Sequence, residues 1–132
     1  IMVGLPGETV EDMVQTIKDV SQLPVQGVKI HQLMVIKDTQ MADEYKRGEF
    51  ETFSIEKYAP VLTKMLQHLR PDIAVHRIMA DTKGENGLIS PLWSLKKDQS
   101  IMFLQKFLQI VDLEYSAHQN HARGFQNLSS LY

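Results

Sequence analysis

Two glycines flank a proline in the stretch Gly4-Leu-Pro-Gly-Glu8, directly after three apolar residues and directly before a helical pattern. Glycine lets a backbone approach a ligand closely, and the N-terminus of a following helix favours anions or polar heteroatoms. The alternative is an ordinary strand-to-helix turn, in which the glycines serve only backbone and packing needs. Because short glycine motifs are weak evidence, the spacing alone favours the ordinary turn.

Basic side chains occur in two later apolar runs. Lys29 and His31 lie in "VKIHQLMVI" (28–36), and His76 and Arg77 lie in "IAVHRIM" (73–79). The histidines could converge on a substrate, but without an acidic or hydroxyl partner at a fixed spacing a structural, hydrogen-bonded role is favoured. A charge inside a closed barrel must be paired or used, so Lys29 and Arg77 are the better candidates.

Metal and thiol chemistry find little support. His118 and His121 have a spacing that can chelate a metal on a helix, but no third ligand is near them in a tail-like segment. We therefore predict no metal site. Cysteine is absent from the 132 residues, which excludes disulfides, thiolate nucleophiles and cysteine-ligated zinc or iron–sulfur clusters within this chain.

Composition is that of an ordinary globular domain, with 43% hydrophobic residues, 23% charged residues and a net charge of −2. The sequence contains no long basic run, so its composition gives no reason to expect a nucleic-acid or membrane surface. Whether nucleic acid is a partner stays open. No apolar stretch approaches the ~20 residues of a membrane span, and no signal peptide is visible. We therefore expect a cytoplasmic protein with no membrane partner.

The elements that must position these residues alternate between strands and helices. Such βαβ units give parallel strands with ligand sites at their carboxyl ends, which places Gly4–Glu8 and Met34–Thr39 at the functional rim. A helix that contains Pro60 is either kinked there or begins there. The predicted order is strand 1–3, a helix capped by Thr9, strand 28–36, a short helix at 41–49, a helix at 55–69 capped by Ser54, and strand 73–79.

The last third of the chain has a different pattern. Residues 81–93 are predicted to form a long loop, in which the sole tryptophan, Trp93, is a packing anchor. The segment 94–115 is predicted to be a helix with apolar residues on more than one face, so it is either deeply packed or awaiting a partner. We divide the chain into a domain of residues 1–80 and an extension of residues 81–132.

Three segments in order resemble a known family. They are "IMVGLPGETVEDMVQTIKDV", "GVKIHQLMVIKDTQMADEYKRGEF" and "VHRIMADTKGENGLISPLWSLKK". Together they resemble the later half of the core of the radical S-adenosylmethionine superfamily, and within it the YhcC-like family, which is related to the Elongator catalytic-subunit branch. The resemblance covers about residues 1–114.

The resemblance implies an α/β fold that is part of a TIM-type (β/α) barrel. This chain would supply strands five and six, their helices and a C-terminal extension. In the superfamily a three-cysteine loop binds a four-iron four-sulfur cluster, and reductive cleavage of S-adenosylmethionine yields a 5′-deoxyadenosyl radical. Since this chain lacks cysteine, we expect a fragment of an iron–sulfur oxidoreductase that is inactive alone, with no catalytic residue and no cofactor of its own. Its partner would be the missing N-terminal half.

The resemblance also implies roles for particular residues. On the cofactor side, the end of strand five would pack against the adenine and shape the following turn, through Met2, Val3, Gly4, Gly7 and Glu8. On the substrate side, strand six and the end of the next strand would contribute His31, Gln32, Lys37, His76 and Arg77.

Two other hypotheses stay open. One is a stand-alone α/β binding or interaction module without redox chemistry, favoured by the lack of cysteine and by enough apolar residues for a core. The other is a half-barrel that associates with itself, because exposed edges of parallel strands invite pairing.

Overall fold

A computed structural model describes the backbone of residues 1–119 and the side chains of residues 1–111. The chain is of the α/β class. Its helices are α1 (Val10–Ser21), α2 (Gln40–Lys46), α3 (Ile55–Leu66) and α4 (Lys97–Gln119), with short 3₁₀ helices at Gly84–Asn86 and Leu92–Leu95. Its strands are β1 (Met2–Val3), β2 (Gly27–Lys29), β3 (His31–Gln32), β4 (Val35–Ile36), β5 (Ala74–Arg77) and β6 (Leu88–Ser90).

The segment 27–32 is the centre of the parallel strands. Its first half, β2, pairs in parallel with β5, and its second half, β3, pairs in parallel with β1. Hydrogen bonds continue across the break, because the Ile30 amide donates to the Arg77 carbonyl at 2.8 Å and the His31 amide to the Ile1 carbonyl at 3.0 Å. The predicted parallel pairing is confirmed, while the described residues form no closed barrel.

Two predictions beyond Gln32 are wrong. The strand predicted over 28–36 does not continue in the parallel pairs: β4 instead pairs antiparallel with β6, with Val35 opposite Ser90. The segment 81–93, predicted as a loop, contains β6, the 3₁₀ helix Gly84–Asn86 and the start of the second 3₁₀ helix. Gly87, at φ 74°, turns the chain back, and its carbonyl accepts the Lys37 amide at 2.8 Å. This pairing joins residues about fifty positions apart, so no local pattern reveals it.

The helix starts follow their caps. The Thr9 hydroxyl accepts the Asp12 amide at 3.1 Å and an Asp12 carboxylate oxygen accepts the Thr9 amide at 2.8 Å, a reciprocal capping box. Ser54 caps α3 through the Lys57 amide at 3.2 Å, as predicted. The helix runs through Pro60, so the alternative start at Pro60 is wrong. Pro60 has no amide hydrogen to donate to the carbonyl of Glu56, four residues earlier. Both residues are exposed, so that carbonyl can bond to water.

The core lies between the strands and the pair α1 and α3. Its largest enclosed side chain, Tyr58, donates its hydroxyl to the Ile78 carbonyl at 2.6 Å. Among the side chains described in α4, those of Ser100, Leu104 and Leu108 are buried, at a spacing of four residues along one side, so deep packing on more than one face is wrong for this part of the helix. Its unburied apolar residues include Met102, 62% exposed, and Ile110, 56% exposed.

Arg70 fastens the loops at the amino ends of β2 and β5. Its guanidinium donates to the carbonyls of Ser21 at 2.6 Å and Val25 at 3.3 Å, both in the chain that leads from α1 to β2. It also pairs with the Asp72 carboxylate at 2.5 Å, and this hydrogen bond lowers the pKa of Asp72. One side chain thus joins the two connections that enter neighbouring strands.

Acid should weaken the start of α1. Hydrogen bonds from the Thr9 amide and hydroxyl lower the pKa of Asp12, so the unfolded chain takes up the proton more readily than the folded one. The stabilisation is present above the unfolded pKa and is lost as pH falls through the folded one. We expect Asp12→Asn, which cannot titrate, to lose less stability than the parent between about pH 5 and about pH 2 in urea unfolding followed by circular dichroism. Identical losses in both proteins would contradict this role.

Candidate functional site

Side chains of the segment 27–32 alternate between two faces of the parallel strands. Val28 and Ile30 are buried in the core with residues of α1 and α3, and Gln32 is buried on the same face against Ala80 and Ser94. The intervening side chains point to the other face, which no helix of the described chain covers. We call this second face the open face; its residues are Met2, Gly27, Lys29, His31, Ala74, His76 and Arg77.

Basic groups cluster on the open face. Lys29 lies opposite Arg77 in the β2–β5 pairing, and the register shift beside Lys29 leaves His76 as an extra residue in β5. The His76 ring occupies the space above Gly27, where any β-carbon would collide with the imidazole. His31 lies two residues beyond Lys29, opposite Met2 of β1. Four of the predicted or weighed basic residues thus come together.

Within the described chain these basic groups have no acidic partner. The four salt bridges join Arg47–Glu49, Lys64–Glu11, Arg70–Asp72 and Lys97–Asp81, none of which lies on the open face. Lys29, His76 and Arg77 are exposed, and the His31 ring is half-buried with Nδ1 3.2 Å from the Gln32 carbonyl. The open face therefore presents two fixed positive charges and two imidazoles without compensation from this part of the chain.

Gln32 points the other way. Its side chain is 1% exposed, and its amide nitrogen donates to the Ala80 carbonyl at 2.6 Å and to the Ser94 hydroxyl at 2.7 Å. Its amide oxygen accepts the Ala80 amide at 3.1 Å. These bonds tie β3 to the chain after β5 and to the 3₁₀ helix that carries Ser94. The Gln32 amide is thus already engaged in hydrogen bonds within the chain. Its predicted role toward a substrate stays a prediction.

Lys37 belongs to a different part of the fold. It follows β4, and its aliphatic stem crosses Gly87 so closely that any side chain at that position would collide with it. Its charged end is exposed. The structure therefore places Lys37 beside the antiparallel β4–β6 pair and not on the parallel strands.

The turn after β1 has the geometry that its glycines permit. Gly4 and Gly7 adopt φ 92° and 84°, in the left-handed region, and the Glu8 amide donates to the Leu5 carbonyl at 3.1 Å. Gly4 is buried against the ring of Phe53, which lies 3.5 Å from where a β-carbon would stand. Backbone conformation thus accounts for both glycines, and closeness to a ligand stays a prediction.

The predicted cofactor residues divide between the faces. Met2 is 39% exposed on the open face, whereas Val3 is 1% exposed and packs in the core. In a strand, neighbouring side chains point to opposite sides, so only one of these two can face the open side. Met2 is therefore the member of the pair available for contact with a bound ring.

Sequence reasoning missed two residues that shape this region. Phe53 covers Gly4, and its carbonyl accepts the Trp93 indole N–H at 2.9 Å. Trp93 also packs on Tyr58, with ring centroids 5.3 Å apart, so its predicted role as a packing anchor is confirmed. Ser94, which holds Gln32, was the other omission. The signal available for Phe53 was an aromatic residue in a polar connector, and the signal for Ser94 was its place in the third segment that carries the family resemblance.

Metal and membrane features are limited. In the part of the chain that the structure describes, no group of three or more histidine or carboxylate side chains could hold a metal ion. The His118 side chain and His121 lie outside the described side chains. None of the helices within the described residues is both long and apolar enough to cross a membrane.

The comparison with protein families decides the identity. Residues 25–109 match the family model described as Radical_SAM C-terminal domain. The chain belongs to this family. The match includes β2, β3, β5 and most of the side chains described in α4, so it crosses the predicted division at residue 80. That division stays a prediction.

Curated relatives agree with this radical SAM C-terminal assignment and with the YhcC-like resemblance. The chain is 37% identical over 109 residues to the uncharacterized protein YtqA of Bacillus subtilis, covering 83% of this chain and 34% of that protein. It is 30% identical over 117 residues to protein YhcC of Escherichia coli, covering 89% and 38%. An uncharacterized protein of Methanocaldococcus jannaschii is 35% identical over 95 residues, covering 72% and 30%. The chain spans about a third of the length of these relatives.

Removing the Gln32 amide should destabilise the fold strongly. In Gln32→Leu the Ala80 amide and carbonyl lose their buried partner and the Ser94 hydroxyl loses a donor. We expect a loss of about 2–4 kcal/mol in the free energy of unfolding, measured in urea. The matched control is Gln26→Leu at an exposed position, which should change stability by less than about 0.5 kcal/mol. Equal effects would show that the buried network does not contribute.

Backbone strain should separate two glycines. Gly4→Ala places a β-carbon at φ 92°, so we expect a loss of about 1–2 kcal/mol in the free energy of unfolding. Gly84→Ala meets no atom within 4 Å and has no left-handed φ, so it should be nearly neutral. Thermal unfolding of both variants tests this, and a neutral Gly4→Ala would refute the requirement for glycine after β1.

Proposed function

We propose that this chain is the C-terminal part of the barrel wall of a radical SAM iron–sulfur oxidoreductase and is inactive alone. The observation that carries the proposal is the open face. Parallel strands usually bury both of their faces, whereas in the part of the chain that the structure describes helices cover these strands on one face only. Further strands that curve around the open face would supply the missing cover.

The strand edges support the same arrangement. Within the described residues β1 pairs only with β3, and β5 only with β2. Each outer strand therefore keeps one edge whose amides and carbonyls have no strand partner. Unpaired edges are normally covered or extended in stable proteins. A preceding strand could pair with β1, which is where a partial TIM-type barrel would continue, and the greater length of the relatives leaves room for it.

The iron–sulfur cluster does not fit this chain. Cluster irons need cysteine thiolates, and the sequence contains none. The described residues also offer no group of histidines and carboxylates in its place. A preceding part of the whole protein would therefore have to hold the cluster.

The chain does fit an S-adenosylmethionine wall. That molecule, when bound to a reduced cluster, supplies one-electron chemistry through its reductive cleavage. Met2 on the open face would pack against the adenine, and Gly4 and Gly7, at φ 92° and 84°, would hold the rim beside it together with Glu8. On the substrate side His31, His76 and Arg77 would face the ligand, Lys37 would lie at the periphery, and Gln32 would hold the strand in place from behind.

A second candidate is a stand-alone α/β binding or interaction module. It is favoured by a core that closes within the chain, since Ile17, Leu62 and Met65 have no exposed surface. Self-association through the free strand edges is a third proposal and would also cover the open face. A sedimentation coefficient that does not change with concentration would count against self-association.

The decisive experiment compares two lengths of protein. The isolated 132-residue chain should show no iron–sulfur absorbance after anaerobic reconstitution, because it lacks thiolate ligands. A longer protein that includes the upstream strands should incorporate a cluster and, with a reductant, release 5′-deoxyadenosine from S-adenosylmethionine. If the longer protein carries the cluster but releases no 5′-deoxyadenosine, the assignment as a radical SAM enzyme is refuted. An in-frame stop codon just upstream of Ile1 would instead favour the stand-alone module.

A further inference from the structure

We propose that the open face is an anion site, in which Lys29 and Arg77 bind a phosphate or carboxylate group and His31 and His76 flank it. The inference rests on the proposed function only where it calls the anionic ligand a substrate. The site itself follows from the charges and pairing of four residues. Lys29 is added here to the predicted substrate residues.

Lys29 and Arg77 are a pair of positive charges without an acidic partner among the described residues. Lys29 and Arg77 occupy directly opposed positions of two paired strands, a placement that is unfavourable for like charges. Among the described residues neither makes a salt bridge, and their neighbours on the open face, Met2, Gly27 and Ala74, carry no charge. A bound anion between the two side chains would turn this repulsion into attraction.

The shape of the basic side chains also suits an anion. A guanidinium offers a planar fork that suits phosphate and carboxylate oxygens, and an ammonium beside it adds a second donor. Gly27 is the residue that leaves room for the His76 ring, so the imidazole lies along the same column of side chains as Lys29. His31 extends the column on the side of β1. All of these donors lie on one exposed surface.

The basic residues lie near the carboxyl ends of their strands. Arg77 is the last residue of β5, and His31 lies within one residue of the end of β3. Ligands of α/β folds bind at the carboxyl ends of parallel strands. The anion site therefore lies near the edge at which such folds bind their ligands, beside Met2 of β1.

The anionic group could belong to a substrate or to S-adenosylmethionine, which carries a carboxylate of its own. Nuclear magnetic resonance of the 132-residue chain can separate these sources. Inorganic phosphate, acetate and S-adenosylmethionine would each be titrated at constant ionic strength, while the histidine ring protons and the amides of residues 27–31 and 74–77 are followed. Saturable binding of phosphate alone identifies a phosphate-bearing substrate. Binding of acetate and S-adenosylmethionine as well assigns the site to a carboxylate.

Variants test whether the named residues form the site. Lys29→Gln and Arg77→Gln should each weaken phosphate binding on the order of tenfold, because each removes a charge-assisted hydrogen bond. Both side chains are exposed, so the folds should survive, which thermal unfolding would verify. The matched control is Lys18→Gln on the exposed side of α1, which removes the same charge and should leave binding unchanged. Gly27→Ala should displace the His76 ring and weaken binding by a smaller factor.

Several results would overturn the anion site. Shifts that do not saturate, or equal losses in Lys18→Gln and Lys29→Gln, would reduce the effect to general positive charge. The phosphate titration would also be repeated on the longer protein. Loss of phosphate binding there would mean that acidic residues of the added strands occupy the open face, and it would overturn the anion site. None of these results affects the cleavage of S-adenosylmethionine by the longer protein, so the two proposals can fail separately.

Discussion

The alternation of side chains along residues 27–32 is the constraint on which this structure depends. One short segment pairs with β5 through its first half and with β1 through its second, so its register is fixed from both sides. Val28 and Ile30 then pack against the helices and Gln32 bonds to Ala80 and Ser94, while Lys29 and His31 lie on the open face. A slip of one residue would bury a lysine and expose an isoleucine, which makes any other register expensive.

The chain after β5 is joined to the buried face of this segment. Gln32 reaches Ala80 and Ser94, and Trp93 contacts both Tyr58 and the Phe53 carbonyl. These contacts are buried or half-buried, so they fix the chain after β5 without depending on its regular structure. These residues thus pack on the buried side of the strands, and within the described part of the chain the basic groups of the open face have no acidic partner.

The division of labour between the two faces bears on the family. The chain belongs to the radical SAM C-terminal family and contains no cysteine, so its residues alone cannot form a cysteine-ligated metal centre. Its helices need one face of the strands to be apolar, whereas a ligand needs the other face to be polar and accessible. In the segment from Gly27 to Gln32 alternate residues are buried on one face and exposed or half-buried on the open face.

The sequence by itself determined the local elements. Thr9 and Asp12 placed the start of α1, Ser54 placed the start of α3, and the order of strands and helices predicted parallel pairing, because caps and periodicity act within a few residues. Three motifs in order also identified the radical SAM resemblance. Tertiary structure alone decided that β4 pairs with β6, that Gln32 is enclosed by Ala80 and Ser94, and that Lys29 stands beside Arg77. These contacts join residues about fifty to sixty positions apart, and only the packing of the whole chain brings such residues together.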